Sequence, residues 1–187
     1  MVKNGGICSS VTRQAPLFRC RLAPPTVGLS LISRQILPVL KENPMNLKQL
    51  FEFVSDKHTG QTDLAGMPYI SHLVHVAETS GCTSLGLLHD ILEDTDTTAD
   101  DLLTAGFEPE LVAQVVTLTK KPDEMYENYI DRVIASQDPE VLRVKSADLR
   151  HNMDVSRLPA LTNKHTERLR KYHAAYLKIQ SALRDVS

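Results

Sequence analysis

The chain has 187 residues, of which 42% are hydrophobic and 24% charged, a composition typical of one soluble globular domain. It has no apolar run of about eighteen residues, which argues against a membrane-spanning helix, and its 5% of aromatic residues without Trp disfavours a stacking platform for single-stranded nucleic acid. Residues 1–44 carry six Lys or Arg and one acid, whereas residues 45–187 carry fifteen basic and twenty-two acidic residues, so the acidic body disfavours binding to polymeric nucleic acid.

The first 44 residues differ from the rest of the chain. They hold paired glycines and prolines and no sustained helical or strand period, so we expect a disordered extension followed by one domain over residues 45–187. Their Arg and Ser content leaves open an organellar transit peptide, and Met45 leaves open upstream sequence before the true start. Three scattered cysteines do not suit a disulfide framework, so we expect a reducing, cytoplasmic location.

From Met45 onward the hydrophobic pattern is helical. The predicted elements in chain order are a helix around 47–54, a glycine-containing loop at 60–68, a helix over about 69–80, a helix with an apolar stripe of Leu85, Leu88 and Leu92, a helix capped at Thr98–Asp101, helices opening at Pro109 and Pro122, a long helix opening at Asp138 and a final helix over about 163–184. No strand alternation or internal repeat is present. We therefore predict an all-α helical bundle.

One predicted helix, over about 87–95, holds an unusual number of polar groups. His89 and Asp90 stand between leucines, and at helical spacing they lie one turn before Glu93 and Asp94. Burying several acids without a counter-charge is costly, so this pattern favours a divalent cation. The alternative is a solvated acidic helix end.

Two other predicted helices can supply further ligands. His72 and His75 lie one turn apart on the first, and Asp148 and Asn152 share a face of the second, with Lys145 one turn upstream. Each set also has a purely structural interpretation, as a hydrogen-bonded histidine or a surface Lys–Asp pair of little energetic weight.

Taken together, these residues resemble a known family. His72, His89-Asp90 and Asp148 match the H…HD…D pattern of the HD-domain metal-dependent phosphohydrolases. The surrounding segments are similar to the hydrolase domain of the RelA/SpoT family and its small stand-alone relatives, in order and spacing, over about residues 47–155. These segments are His58–Gln61, Gly66–His72, Leu87–Thr98 and Val144–Met153.

The resemblance implies an HD-domain helical bundle and a divalent ion, most simply Mn²⁺, held by His72, His89, Asp90 and Asp148. Imidazole and carboxylate ligands without thiolate agree with that choice. By the same resemblance, Glu93 and Asp94 position and deprotonate the attacking water.

The resemblance also implies substrate contacts. Asn152 would contact the sugar or phosphate, Lys145 would pair with phosphate or an acid of the site, and His151 is expected to face away and pack. Tyr129 and Arg132, on one helix face with Tyr126, are further candidate substrate contacts. Beyond the last ligand helix, the same wall has three more candidates, which are Arg157, Arg168 and Tyr172.

The sequence departs from the family in the loop at 60–68, called the substrate loop because the matching loop of the family contacts the substrate. Asp63 and Leu64 stand where the family usually has a basic pair, one member of which stacks on guanine. We therefore expect a phosphohydrolase of a nucleotide pyrophosphate, with (p)ppGpp 3′-pyrophosphohydrolase activity as the leading interpretation and no synthetase domain. The alternatives are a phosphatase for another nucleotide, such as a deoxynucleotide or dinucleotide cofactor, and a non-catalytic nucleotide-binding regulator.

Overall fold

The computed structural model describes residues 45–186, and the predicted N-terminal extension over residues 1–44 lies outside them. The described residues form nine α-helices and one short 3₁₀ helix. The α-helices are α1 (Leu47–Lys57), α2 (Ile70–Ser80), α3 (Thr83–Leu88), α4 (Ile91–Asp94), α5 (Ala99–Thr104), α6 (Pro109–Leu118), α7 (Tyr126–Ala135), α8 (Pro139–Met153) and α9 (Asn163–Val186). Between residues 45 and 186 there is no strand, only an isolated bridge between Thr62 and Pro68, so the predicted all-α bundle is confirmed.

Local sequence signals explain where several helices begin. The Asn46 side chain accepts a hydrogen bond from the Gln49 amide at the start of α1, and Thr98 and Asp101 form the predicted reciprocal capping box of α5. Asp138 caps α8, and Pro109 and Pro139 occupy first-turn positions, as predicted.

Two predicted boundaries are wrong. The helix expected to open at Pro122 begins at Tyr126, since Asp123 adopts a left-handed backbone conformation with φ of 58° that a helix cannot include. The helix expected over 87–95 is interrupted at His89 and Asp90, where Asp90 has φ of −105° and ψ of 0°. In a continuous helix successive side chains point about 100° apart, whereas this turn lets both side chains face the same cluster.

The core lies where α2 crosses α3 and α8, and α8 in turn packs against α9. Its fully buried side chains include Leu73 and Val76 of α2, Leu88 of α3 and Leu142 of α8. Gly86 permits the closest approach, because a Cβ there would lie 2.4 Å from the Ala77 Cα on α2. This packing holds α2, the turn after α3 and α8 together around one pocket.

Among the described residues, no helix combines the length and apolar character needed to cross a membrane.

Candidate metal centre

Four side chains from three parts of the fold converge at one point, and three of them, His72, Asp90 and Asp148, line a pocket of about 480 Å³. His72 comes from α2, His89 and Asp90 from the turn after α3, and Asp148 from α8. One ligand atom of each lies within 4.8 Å of all the others. The His72 Nε2 atom is 3.5 Å from Asp90 Oδ2 and 3.4 Å from Asp148 Oδ1, and the His89 Nε2 atom is 3.0 Å from Asp90 Oδ2. His75, the alternative ligand on α2, is exposed and outside this group.

The hydrogen bond made by His89 determines which of its nitrogens is free. Its Nδ1 lies 2.7 Å from the Gly86 carbonyl oxygen, which only accepts, so Nδ1 carries the proton. The Nε2 atom is buried and has no hydrogen-bond partner, although a carboxylate oxygen lies close by. An unpartnered ring nitrogen facing a carboxylate requires a positive charge between them, so the cluster fits a divalent cation.

The pKa shifts express the same requirement. Burial opposes charge on His89, but the Asp90 carboxylate outweighs it and raises the pKa of His89 to about 10. Burial likewise opposes charge on Asp90, yet the adjacent His89 and His72 hold the pKa of that carboxyl far below its usual range. A proton or a metal ion at this point satisfies both groups.

Neighbouring side chains orient the two carboxylates. The Tyr69 hydroxyl donates to Asp90 Oδ2 at 2.6 Å. Lys145 donates to Asp148 Oδ2 at 2.8 Å, and the Asn152 amide donates to Asp148 Oδ1. Lys145 and Asn152, which were predicted as substrate contacts, therefore line the pocket, and both donate hydrogen bonds to the Asp148 carboxylate.

Glu93 and Asp94 follow the turn on α4 and line the same pocket. Glu93 accepts a hydrogen bond from the Lys120 backbone amide at 3.1 Å, and the Gln61 side chain donates to the Asp94 carbonyl oxygen at 2.7 Å. Partial burial raises the pKa of both carboxyls, and the nearby Asp90 charge raises each further. The two carboxyls lie beside the cluster and remain open to the pocket, as a proton acceptor requires.

The structure separates Tyr129 and Arg132. Tyr129 lines the pocket with its ring beneath the Lys145 ammonium, 4.9 Å from the ring centroid, and its hydroxyl donates to the Leu118 carbonyl. Arg132 does not line the pocket. Its guanidinium donates to the Glu124 carboxylate and to the Thr117 and Thr119 carbonyls, so it is bound at the end of α6 and in the loop before α7.

The wall opposite the carboxylates is cationic and aromatic. Arg168 lies over the Tyr172 ring at 4.9 Å and donates to Asn152, whereas Lys171 lies 4.4 Å from the centroid of Tyr126. The buried Nε of Arg168 and hydroxyl of Tyr126 have no hydrogen-bond partner. This wall, formed mainly by α9, provides donors that suit phosphate oxygens.

Asp63 organises the substrate loop from within. Its Oδ1 atom accepts from the Ala65 and Met67 amides at 2.8 and 3.0 Å, and its Oδ2 atom pairs with Arg157. Leu64 beside it is 57% exposed and lines the pocket. The loop therefore presents an apolar side chain and no free cation to the pocket.

Several residues of the site were missed by the sequence analysis. His151 was expected to face away and pack. It does pack, on the rings of His72 and His75, but it also lines the pocket, and its Nδ1 lies 2.6 Å from the Nδ1 of His72. Tyr69 has no predicted role of its own within the Gly66–His72 segment, yet its hydroxyl donates a hydrogen bond to Asp90. Buried His58 stacks on Tyr69 and bonds Gln61, which in turn holds α4. These residues could have been suspected from the sequence, because each lies within one of the segments that carry the family resemblance.

Comparisons with known proteins agree with the fold and with the family resemblance of the sequence. No family model matches the chain. The chain is 37% identical over 122 residues to a bifunctional (p)ppGpp synthase/hydrolase SpoT of Escherichia coli K12, a match that covers 57% of this chain and 17% of that protein. It is 32% identical over 133 residues to a guanosine-3′,5′-bis(diphosphate) 3′-pyrophosphohydrolase of Aquifex aeolicus, over 64% of this chain and 19% of that protein.

The chain thus spans less than a fifth of the length of these curated relatives. Among solved structures, a metazoan ortholog of SpoT described as hydrolysing ppGpp superposes with a TM-score of 0.57 at 18% identity, over 78% of this chain and 96% of the other. That likeness shows a shared fold. The resemblance found in the sequence is thereby confirmed: over part of its length this chain is similar to SpoT-type (p)ppGpp hydrolases, and its helical fold is shared with one solved structure.

Proposed function

We propose that this chain is a metal-dependent phosphohydrolase of a nucleotide pyrophosphate, acting on (p)ppGpp as a 3′-pyrophosphohydrolase. The observation that carries the proposal is the cluster of His72, His89, Asp90 and Asp148, three of which line the same pocket as Glu93 and Asp94. The names of the curated relatives support the choice of substrate.

The four clustered residues are proposed to hold the ion, and Mn²⁺ is the proposed metal because imidazole and carboxylate ligands suit it. A bound divalent cation supplies Lewis-acid polarisation of a phosphoryl oxygen and a lowered pKa of water. The chain's own residues do the rest. Glu93 and Asp94 take the proton of the attacking water, and Lys145 and Arg168 provide positive charge near the phosphate oxygens.

In the proposed reaction, the water oxygen bonds to the phosphorus attached to the ribose 3′ oxygen. The bond from that phosphorus to the 3′ oxygen breaks, so pyrophosphate leaves and the ribose oxygen gains a proton. Asn152 sits between Asp148 and Arg168, which suits a contact to the sugar or phosphate. The volume of the pocket, about 480 Å³, suits a small nucleotide. We also propose a cytoplasmic location, because the cysteine content suits a reducing compartment.

One observation favours a second candidate, a phosphatase for another nucleotide such as a deoxynucleotide or dinucleotide cofactor. The loop has Asp63 and Leu64 where the resembled family has a basic pair, so it provides no side-chain cation to stack on guanine. The Asp63 carboxylate itself is bound by the Ala65 and Met67 amides and by Arg157. The exposed Leu64 presents apolar surface instead.

The test is incubation of the purified full-length chain with Mn²⁺ and separate nucleotides, including (p)ppGpp, GTP, deoxynucleoside triphosphates and dinucleotide cofactors. We expect pyrophosphate release from (p)ppGpp, lost in His89→Ala and Asp148→Ala and retained in the exposed control His173→Ala. Turnover of other nucleotides alone would favour the second candidate. A metal-loaded chain that turns over no nucleotide would contradict both and favour a binding regulator.

A further inference from the structure

A chain of polar contacts runs from the substrate loop to a ligand of the candidate metal centre. Asp63 Oδ2 pairs with the Arg157 Nη2 atom. Arg157 Nη1 lies 2.9 Å from the His151 Nδ1 atom, which lies 2.6 Å from the Nδ1 of His72. His151 and His72 are both buried.

The direction of each hydrogen bond follows from what each group can donate. A guanidinium has only N–H donors, so His151 Nδ1 must accept from Arg157 and carry a lone pair. A ring nitrogen with a lone pair cannot donate to His72, so in that contact the His72 Nδ1 is the donor, and the Arg157 and His72 N–H groups share the one lone pair of the His151 Nδ1. The Nδ1 of His72 therefore carries the proton, and in the neutral ring the lone pair is on Nε2.

The His72 Nε2 atom is the one that faces the cluster. It lies 3.5 Å from Asp90 and 3.4 Å from Asp148, and it belongs to the group of ligand atoms within 4.8 Å of one another. The opposite tautomer would place a proton where a cation must sit. The contacts on the far side of the ring thus select the form that can bind a metal.

We propose that His151 and Arg157 are positioning residues that hold His72 in its Nδ1–H tautomer and so present Nε2 to the cation, with Asp63 orienting Arg157. The proposal rests on the proposed function for the presence of a cation at this cluster. The assignment of donors and acceptors does not depend on which nucleotide is hydrolysed.

Asp63 links this network to the substrate loop. One oxygen of its carboxylate accepts from the Ala65 and Met67 amides, and the other binds Arg157. Asp63 replaces a basic residue of the resembled family, and its negative charge pairs with the positive charge of Arg157. Asp63→Asn keeps an oxygen for the loop amides but removes the charge that orients the guanidinium.

Packing is the competing explanation for His151. Its ring stacks on His72 at 4.9 Å and on His75 at 4.1 Å. The two explanations differ in which substitution is tolerated. His151→Phe preserves a stacked ring and removes the acceptor. His151→Asn loses the ring but keeps an acceptor, because the Asn Oδ1 atom is two bonds from Cβ, as the His Nδ1 atom is.

The experiment measures Mn²⁺ affinity of the full-length chain by isothermal titration calorimetry, with thermal unfolding of each metal-free variant as a check on folding. We expect His151→Phe to weaken Mn²⁺ binding by about 10- to 100-fold and Arg157→Met by about 10-fold, the range for groups that orient metal ligands. His151→Asn should recover most of the affinity, and Asp63→Asn should show a smaller loss than Arg157→Met.

Arg150→Met, at an exposed position of α8, is the matched control and should bind Mn²⁺ as the wild type does. Unchanged affinity in folded His151→Phe, or weaker binding by His151→Asn than by His151→Phe, would overturn the proposal. Binding of Mn²⁺ without any nucleotide hydrolysis would refute the proposed function alone. No Mn²⁺ binding by the wild type would overturn both.

Discussion

At the scale of single residues, the cluster places two carboxylates against two imidazole rings, an arrangement that requires a positive charge between them. Asp90 and Asp148 face the Nε2 atoms of His72 and His89, and the His89 Nδ1 proton is committed to a backbone carbonyl. Because the pKa of the Asp90 carboxyl is held far below its usual range, this group is a carboxylate at neutral pH, and either a proton on the adjacent imidazole or a bound cation balances its charge. Glu93 and Asp94 differ, because they remain open to the pocket and have raised pKa values.

This difference predicts a separation of metal binding from turnover. Glu93→Gln and Asp94→Asn remove a proton acceptor without removing a clustered ligand, so each should lower kcat by about 100-fold or more while Mn²⁺ affinity changes little. Steady-state hydrolysis and calorimetric Mn²⁺ titration on the same preparations check this. Loss of metal binding in both variants would place these carboxylates among the ligands instead.

The same carboxyls predict early protonation in the metal-free protein. A carboxyl with a raised pKa becomes protonated at a higher pH, so the base form is lost earlier as the pH falls. Without metal, Glu93 and Asp94 should therefore begin to take up protons above the range of an ordinary carboxyl. NMR titration of the metal-free chain, with Glu93→Gln and Asp94→Asn to assign the two signals, measures this, and protonation of both only within the ordinary carboxyl range would contradict it.

At the scale of elements, the contact between α2 and α3 positions His89. Gly86 approaches Ala77 so closely that any Cβ would clash with backbone, and the Gly86 carbonyl also accepts the His89 Nδ1 hydrogen bond. The crossing thus serves packing and ligand orientation at once. The break after α3 then turns His89 and Asp90 toward the same cluster.

Gly86→Ala should consequently destabilise the protein by about 1–3 kcal/mol, the usual cost of overpacking a core, and should weaken Mn²⁺ binding in the molecules that remain folded. Denaturant unfolding gives the free energy, and calorimetry gives the affinity. Ser84→Ala, at an exposed position of the same helix, is the control and should leave both nearly unchanged. Wild-type stability in Gly86→Ala would show that the helices can separate at no cost.

At the scale of the whole molecule, the candidate ligands come from segments far apart in the chain. α2, the turn after α3, and α8 meet only in the folded state, so a cation at this cluster would bind the native state and not the unfolded chain. Metal binding is therefore expected to contribute to stability.

Mn²⁺ at about 100 times its dissociation constant should stabilise the native state by about 2.7 kcal/mol and raise Tm, and a chelator should reverse the rise. Thermal unfolding with and without Mn²⁺ tests this in the wild type and in Asp148→Ala. The variant should show no metal-dependent shift. An equal shift in Asp148→Ala would mean that the stabilising ion binds elsewhere.

Much of the fold was readable from local sequence. Helix starts depend on groups within one turn, so the capping box at Thr98 and the first-turn prolines predicted helices that the structure contains. The ordered histidines and aspartates likewise predicted which side chains would meet. These signals determined the all-α architecture and the type of site, since both depend on residue type and spacing.

The tertiary structure decided which groups are free to act. Arg132 and Arg157 are equivalent in sequence as cations near the site. The Arg132 guanidinium is bound by Glu124 and by carbonyls at the end of α6 and in the loop after it. Arg157 instead binds Asp63, 94 residues away, and His151. His151 and His72 are 79 residues apart, so no local pattern reports which nitrogen carries the proton. Donor and acceptor roles depend on partners brought together by packing, and for that reason only the folded chain shows that His72 presents Nε2 to the cluster.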